Sequence, residues 1–129
     1  LRLLISISEY KDSDMVKELA DVLLSLWENS LERHPYMFYM GTDFRKLKVP
    51  TIWYDIVSVT DILSQIDSVR EDVRFTEMIQ LIKNKQDENG LFTPESVFQK
   101  YKGWEFGQKK KPSQYLTYRC HLTLQRIKH

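Results

Sequence analysis

The feature that most constrains this chain is that its second half echoes its first. Gly41-Thr42-Asp43-Phe44 stands over Gly103-Trp104-Glu105-Phe106 at an offset of 62 residues. At the same offset Lys48 meets Lys110, Pro50 meets Pro112, Thr51 meets Ser113 and Trp53 meets Tyr115. Upstream the offset is 60, pairing Ser8 with Ser68, Asp12 with Asp72, Glu28 with Glu88, Asn29 with Asn89 and Leu31 with Leu91. Two inserted residues reconcile the registers. Turn residues that recur at a fixed spacing mark a repeat architecture, in which each unit completes its core against its neighbours. The expected unit is an outer amphipathic helix, a polar turn, an aromatic connector, a glycine turn and an inner helix. The fold class expected is all-α: αα-hairpin repeats in one domain over 1–129, with units at about 11–66 and 72–128.

Helical spacing of Leu1, Leu4, Ile5 and Ser8 reads as the tail of a preceding inner helix over 1–8, although Ile5-Ser6-Ile7-Ser8 also alternates like a strand. Ser13 caps the next helix, with Asp14 in its first turn. Met15, Leu19, Val22, Leu23, Leu26 and Trp27 form its apolar stripe, opposite Lys17, Glu18, Asp21 and Ser25. Residues 28–48, punctuated by Pro35 and Gly41, read as a long irregular connector. Pro50-Thr51 is expected to start an inner helix through Ile52, Ile56, Val59, Leu63 and Ile66. Asp72 opens a helix with Phe75, Met78, Ile79 and Ile82 inside. Thr93-Pro94 predicts a short helical turn to about Tyr101, as N-cap and first helical residue. Gly103 to Gly107 is a turn, and the helix after Lys109-Lys110-Lys111-Pro112-Ser113 is apolar nearly all round, so it is expected to be mostly enclosed.

Composition excludes several classes. A net charge of +1 gives no general attraction to nucleic acid. No run of about 18 apolar residues exists to span a membrane. The single cysteine, Cys120, cannot form an internal disulfide, which suits a reducing, cytoplasmic setting. The chain begins Leu-Arg-Leu-Leu with no leader-like pattern, and it reads as a part of a longer protein.

Gln86-Asp87-Glu88-Asn89-Gly90-Leu91-Phe92 resembles the Q-x-x-x-G-x-W element of squalene-cyclase and prenyltransferase-type repeats, with Phe92 in place of Trp. Gly41 to Asp55 and Gly103 to Thr117 resemble a group of bacterial and archaeal prenyltransferase-like repeat proteins. The resemblance covers nearly the whole chain and implies part of an α/α toroid, with inner and outer helix layers around a cavity. It also implies that Gln86 satisfies backbone groups at the start of a neighbouring helix while Phe92 packs against it. The chain departs from the catalytic members of that superfamily. Its acids Asp43, Asp55 and Asp61 stand singly rather than as a clustered acid motif. Cys120 and His121 are adjacent, so on a helix they point about 100° apart and make poor joint zinc ligands. About two units are too few to close a ring.

The candidate ligand-binding set comes from the connectors and inner-helix starts: Tyr36, Tyr39, Asp43, Trp53, Tyr54, Asp55, Trp104, Glu105 and Gln108. Aromatic walls with a few fixed polar groups suit a small-molecule pocket. The plainer alternative is that the rings fill space between repeats while the acids cap helices or pair with Lys46 and Lys109. Lys109-Lys110-Lys111 reads as a solvated turn more readily than as a phosphate grip. His34 lacks an evident partner as a general base. His121 reads as a packed, hydrogen-bonded histidine and Cys120 as a small buried hydrophobe. No metal and no cofactor is expected. The functional expectation is a ligand-binding or interaction module without complete catalytic machinery. The rivals are an enzyme domain for a prenyl or carbohydrate-like substrate, with Asp43 or Asp55 as acid, and a scaffold whose open repeat edge binds the rest of a longer chain or a second copy.

Overall fold

Among the described residues, each long helix starts where a short polar side chain can close its first turn. In the computed structural model, which describes residues 1–32, 44–51 and 55–128, these caps define the element order. α1 is a short piece, Arg2–Ile5. α2, Asp14–Glu28, is capped by the Ser13 hydroxyl accepting from the Val16 N–H. α3, Ile56–Leu63, is capped by Asp55. α4, Val73–Lys83, is capped by Asp72. α5, Gln114–Arg126, is capped by Ser113. Each cap occupies an N–H that a free helix end would leave unpaired. Two-residue strands β1 (Lys48–Val49) and β2 (Ser96–Val97) pair in parallel, with Lys48 opposite Ser96 and Val49 opposite Val97. The fold is therefore mostly helical, as the sequence indicates.

α3 lies at the centre and packs against both α4 and α5, while α4 packs against α2. The core runs through Val16, Leu24 and Trp27 of α2, Ile56, Val59 and Leu63 of α3, Phe75, Met78 and Ile82 of α4, and Leu116 and Cys120 of α5. α4 matches its expected face in full: Phe75, Met78, Ile79 and Ile82 are all buried.

α2 does not match its expected stripe. Its buried face is Val16, Ala20, Leu24 and Trp27, with Leu23 and Leu26 half-buried. Met15, Leu19 and Val22 are 57%, 37% and 54% exposed. At 3.6 residues per turn, these three form a face of their own, about a third of a turn from the buried one.

Three other expectations are corrected. Pro50 does not open the inner helix. Lys48–Val49 is strand and Asp55 is extended at φ −142°, so α3 begins only at Ile56. Thr93-Pro94 does not open a helical turn. The N–H groups of Glu95 and Ser96 both donate to the Leu47 carbonyl, and only Gln99–Tyr101 is helical, as a 3₁₀ turn. In both places backbone pairing between segments distant in sequence wins over the local preference for helix. α5 is less enclosed than expected: Leu116, Cys120, Thr123 and Leu124 are buried, but Tyr118 is exposed.

The turn after α4 is built by its own side chains. The Asp87 carboxylate accepts from the N–H groups of Asn89 and Leu91. Gly90 sits at φ +79°, a conformation in which a side chain is strained. Gln86 donates to the Gly90 carbonyl within the turn, not to a neighbouring helix as the resemblance implies. The link to the start of α5 is made by Phe92, whose N–H donates to Thr117 Oγ1 and whose carbonyl accepts from the Ser113 N–H.

Candidate functional site

Of the nine candidate residues, Tyr36, Tyr39, Asp43, Trp53 and Tyr54 lie outside the described residues, as do His34 and most of the aromatic connector. Asp55, Trp104, Glu105 and Gln108 are described, and the structure gives each a definite task.

Asp55 is fully buried. Its Oδ1 accepts from the Ser58 N–H at 2.9 Å and its Oδ2 from the Ser58 hydroxyl at 3.1 Å. Burial pushes its pKa up to about 6, against the pull of the hydrogen bonds from Ser58 and Val57 and the positive charge of Lys48. The buried Cys120 thiol is likewise pushed up to about 12, first by burial and then by the charge of Asp55, which leaves it protonated and unreactive. His121 turns elsewhere: its Nε2 lies 2.7 Å from the Gly90 carbonyl and its ring meets Phe92 edge-on.

The sign of the Asp55 effect is opposite to that of a paired carboxylate. The folded protein holds this proton up to about pH 6, whereas an unfolded aspartate releases it near 3.8. Its contribution to stability is greatest below pH 3.8, falls as pH rises to about 6, and is flat above that, with a total change on the order of 3 kcal/mol. Asn can still cap α3. Asp55→Asn is therefore expected to gain stability relative to the parent chain between pH 4 and pH 7, measured by urea unfolding across that range. A difference that does not vary with pH would show that Asp55 titrates as in the unfolded chain.

Glu105 and Gln108 fold the loop before α5. The Glu105 carboxylate accepts from the Ser113 hydroxyl at 2.9 Å and from the Gln114 N–H at 2.6 Å, which places a negative charge at the start of α5. Gln108 Oε1 accepts from the N–H groups of Lys110 and Lys111, and its Nε2 donates to the carbonyls of Glu105 and Lys111. Gly107 is needed in the same loop, because a Cβ there would overlap the Tyr101 carbonyl. The lysine run is an exposed turn held by Gln108.

Trp104 is 61% exposed. It stacks on Phe106 with ring centroids 5.6 Å apart, and Phe106 continues the cluster to Tyr101 and Tyr115. The Tyr115 hydroxyl lies 3.3 Å from Thr51 Oγ1. The aromatic loop of the second half thus meets the segment before α3 through Tyr115 and Thr51, neither of which is a candidate residue.

Sequence reasoning missed a second polar centre. Asp61, whose side chain is 4% exposed, is bound by three arginines. Arg126 Nη1 lies 2.6 Å from Oδ1, while Arg119 Nη2 and Arg2 Nη2 lie 2.9 and 3.2 Å from Oδ2. Arg126 also reaches the Asp61 carbonyl and the Ser64 hydroxyl. The usable signal was Arg119 and Arg126, seven residues apart on one face of α5, opposite an acid on an apolar helix. A cleft of about 310 Å³ is lined by Trp27, Arg45, Glu77, Gln80, Leu81 and Asn84, from α2, α4 and the segment before β1. The Arg45 guanidinium sits 4.1 Å above the Trp27 ring, and none of the four described candidate residues lines this cleft.

The chain matches no family model, no curated protein and no solved structure.

Proposed function

We propose that this chain is a helical-repeat interaction module that docks another helical unit through the exposed face of α2. The carrying observation is the row Met15, Leu19 and Val22, exposed and apolar on a helix whose other apolar face is already buried. Leu3, Ile7 and Tyr10, in the segment that leads into α2, are exposed as well. Exposed apolar rows of this kind mark association surfaces. The toroid-type repeat reading gives the face a reason. Its outer helices would be α2 and α4, which pack on each other, and its inner helices α3 and α5, which do the same. In such an arrangement the free side of α2 is where the preceding outer helix would sit. A module without complete catalytic machinery fits the polar groups: Asp55 is enclosed as a cap, and Glu105 and Gln108 are occupied in building a loop.

In the isolated chain the available helical unit is a second copy. Sedimentation equilibrium is expected to show concentration-dependent self-association, abolished in Leu19→Lys/Val22→Lys with little loss of unfolding free energy, since both side chains are exposed. A parent chain that stays monomeric at every concentration, indistinguishable from the double variant, would sink the reading.

A further inference from the structure

We propose that Asp61 and its three arginines form a binding site for a small multivalent oxyanion of the phosphate class, with Asp61 as the residue that positions the guanidinium groups. The proposal goes beyond the docking face and uses different side chains. It starts from a charge imbalance. Elsewhere the described ion pairs are balanced or acid-rich: Arg70 pairs with Asp67, and Arg74 is shared by Asp21 and Asp72. At Asp61 three full positive charges converge on one negative charge. Arginine stays charged at any physiological pH, so the excess cannot be relieved by losing a proton.

The geometry is also that of a receptor for oxyanions. Arg119 and Arg126 stand two turns apart on α5, about 10.5 Å along its axis, yet reach the two oxygens of the same carboxylate. Arg2 arrives from α1 on the oxygen that Arg119 uses. Each guanidinium offers five N–H donors, and the contacts to Asp61 engage one nitrogen of each. Among the described residues Arg119 Nε is also buried without a hydrogen-bond acceptor, as are Arg45 Nε and Arg70 Nε elsewhere. Buried donors are normally satisfied, and an unpaired one needs an explanation. The three side chains are partly exposed, Arg2 at 56%, Arg126 at 30% and Arg119 at 22%. Phosphate oxygens match this fork geometry, and a doubly charged anion would cancel the excess charge.

The test uses the whole chain. Thermal unfolding and titration calorimetry are run with inorganic phosphate, inorganic diphosphate and citrate, each against chloride at matched ionic strength. The expected result is saturable binding of phosphate or diphosphate with a dissociation constant below about 1 mM and a matching rise in melting temperature. Arg119→Gln is expected to weaken that binding by about tenfold or more. Because Arg119 also braces the fold, Arg2→Gln, at an exposed position, gives a second reading in which folding is preserved. Arg119→Lys keeps the charge but loses the fork, and it is expected to weaken binding as well. Citrate binding as tightly as diphosphate would overturn the phosphate class. The absence of any saturable effect beyond chloride, or binding unchanged in both Arg2→Gln and Arg119→Gln, would overturn the site.

Discussion

Phe92→Ala is expected to lower the unfolding free energy by about 4 kcal/mol. The ring is fully buried and meets His121 edge-on, with centroids 5.7 Å apart. Its removal leaves a cavity whose walls are held by the backbone. The Phe92 N–H and carbonyl are tied to Thr117 and Ser113 at the start of α5, so the surroundings cannot easily close in. Urea unfolding checks this, with Phe92→Leu as a control expected to lose about 1 kcal/mol. A loss below about 1.5 kcal/mol for the alanine variant would mean that this turn does not anchor α5.

Asp61→Asn is expected to cost about 3 kcal/mol, or roughly 10 °C in melting temperature. The substitution keeps the shape of the side chain and removes its charge. Three guanidinium groups are then left close together without their shared counter-charge. Because that repulsion is electrostatic and partly open to solvent, the deficit is expected to shrink as salt is raised. Melting curves at low and high sodium chloride measure both effects. A deficit under about 1 kcal/mol at low salt would reduce the three contacts to ordinary surface ion pairs.

The helices and their caps were largely legible in the sequence. Ser13 and Asp72 open their helices as the sequence indicates, because capping is a local matter of one side chain and the next turn, while Ser113, which the sequence marks only as part of the lead-in to α5, caps that helix as well. The buried face of α4 was legible because charged residues bound it closely. On α2 the apolar arc is wider than one face, and periodicity could not tell which part meets the core. That is why Met15, Leu19 and Val22 were read as buried and are exposed. Of the candidate site, Trp104 joins an aromatic cluster with Tyr101, Phe106 and Tyr115, and the contact of Tyr115 with Thr51 has no signal in the repeat pattern. The work of Glu105 at the start of α5 belongs to the plainer reading, in which the acids cap helices, and the loop-building role of Gln108 has no local signal.

By itself the sequence determined the helical class, the helix starts at Ser13 and Asp72 and the burial of α4, since these follow from neighbours within a turn or two along the chain. Only the tertiary structure decided where α3 begins, which face of α2 stays open and what surrounds Asp61. β1 pairs with β2 through residues 48 positions apart, and that backbone pairing excludes helix at Lys48–Val49. Asp61, read as a lone acid, meets Arg2, Arg119 and Arg126 across 59, 58 and 65 residues of chain. Periodicity records which residues share a face of one helix, but not which distant side chains the packed helices bring to it.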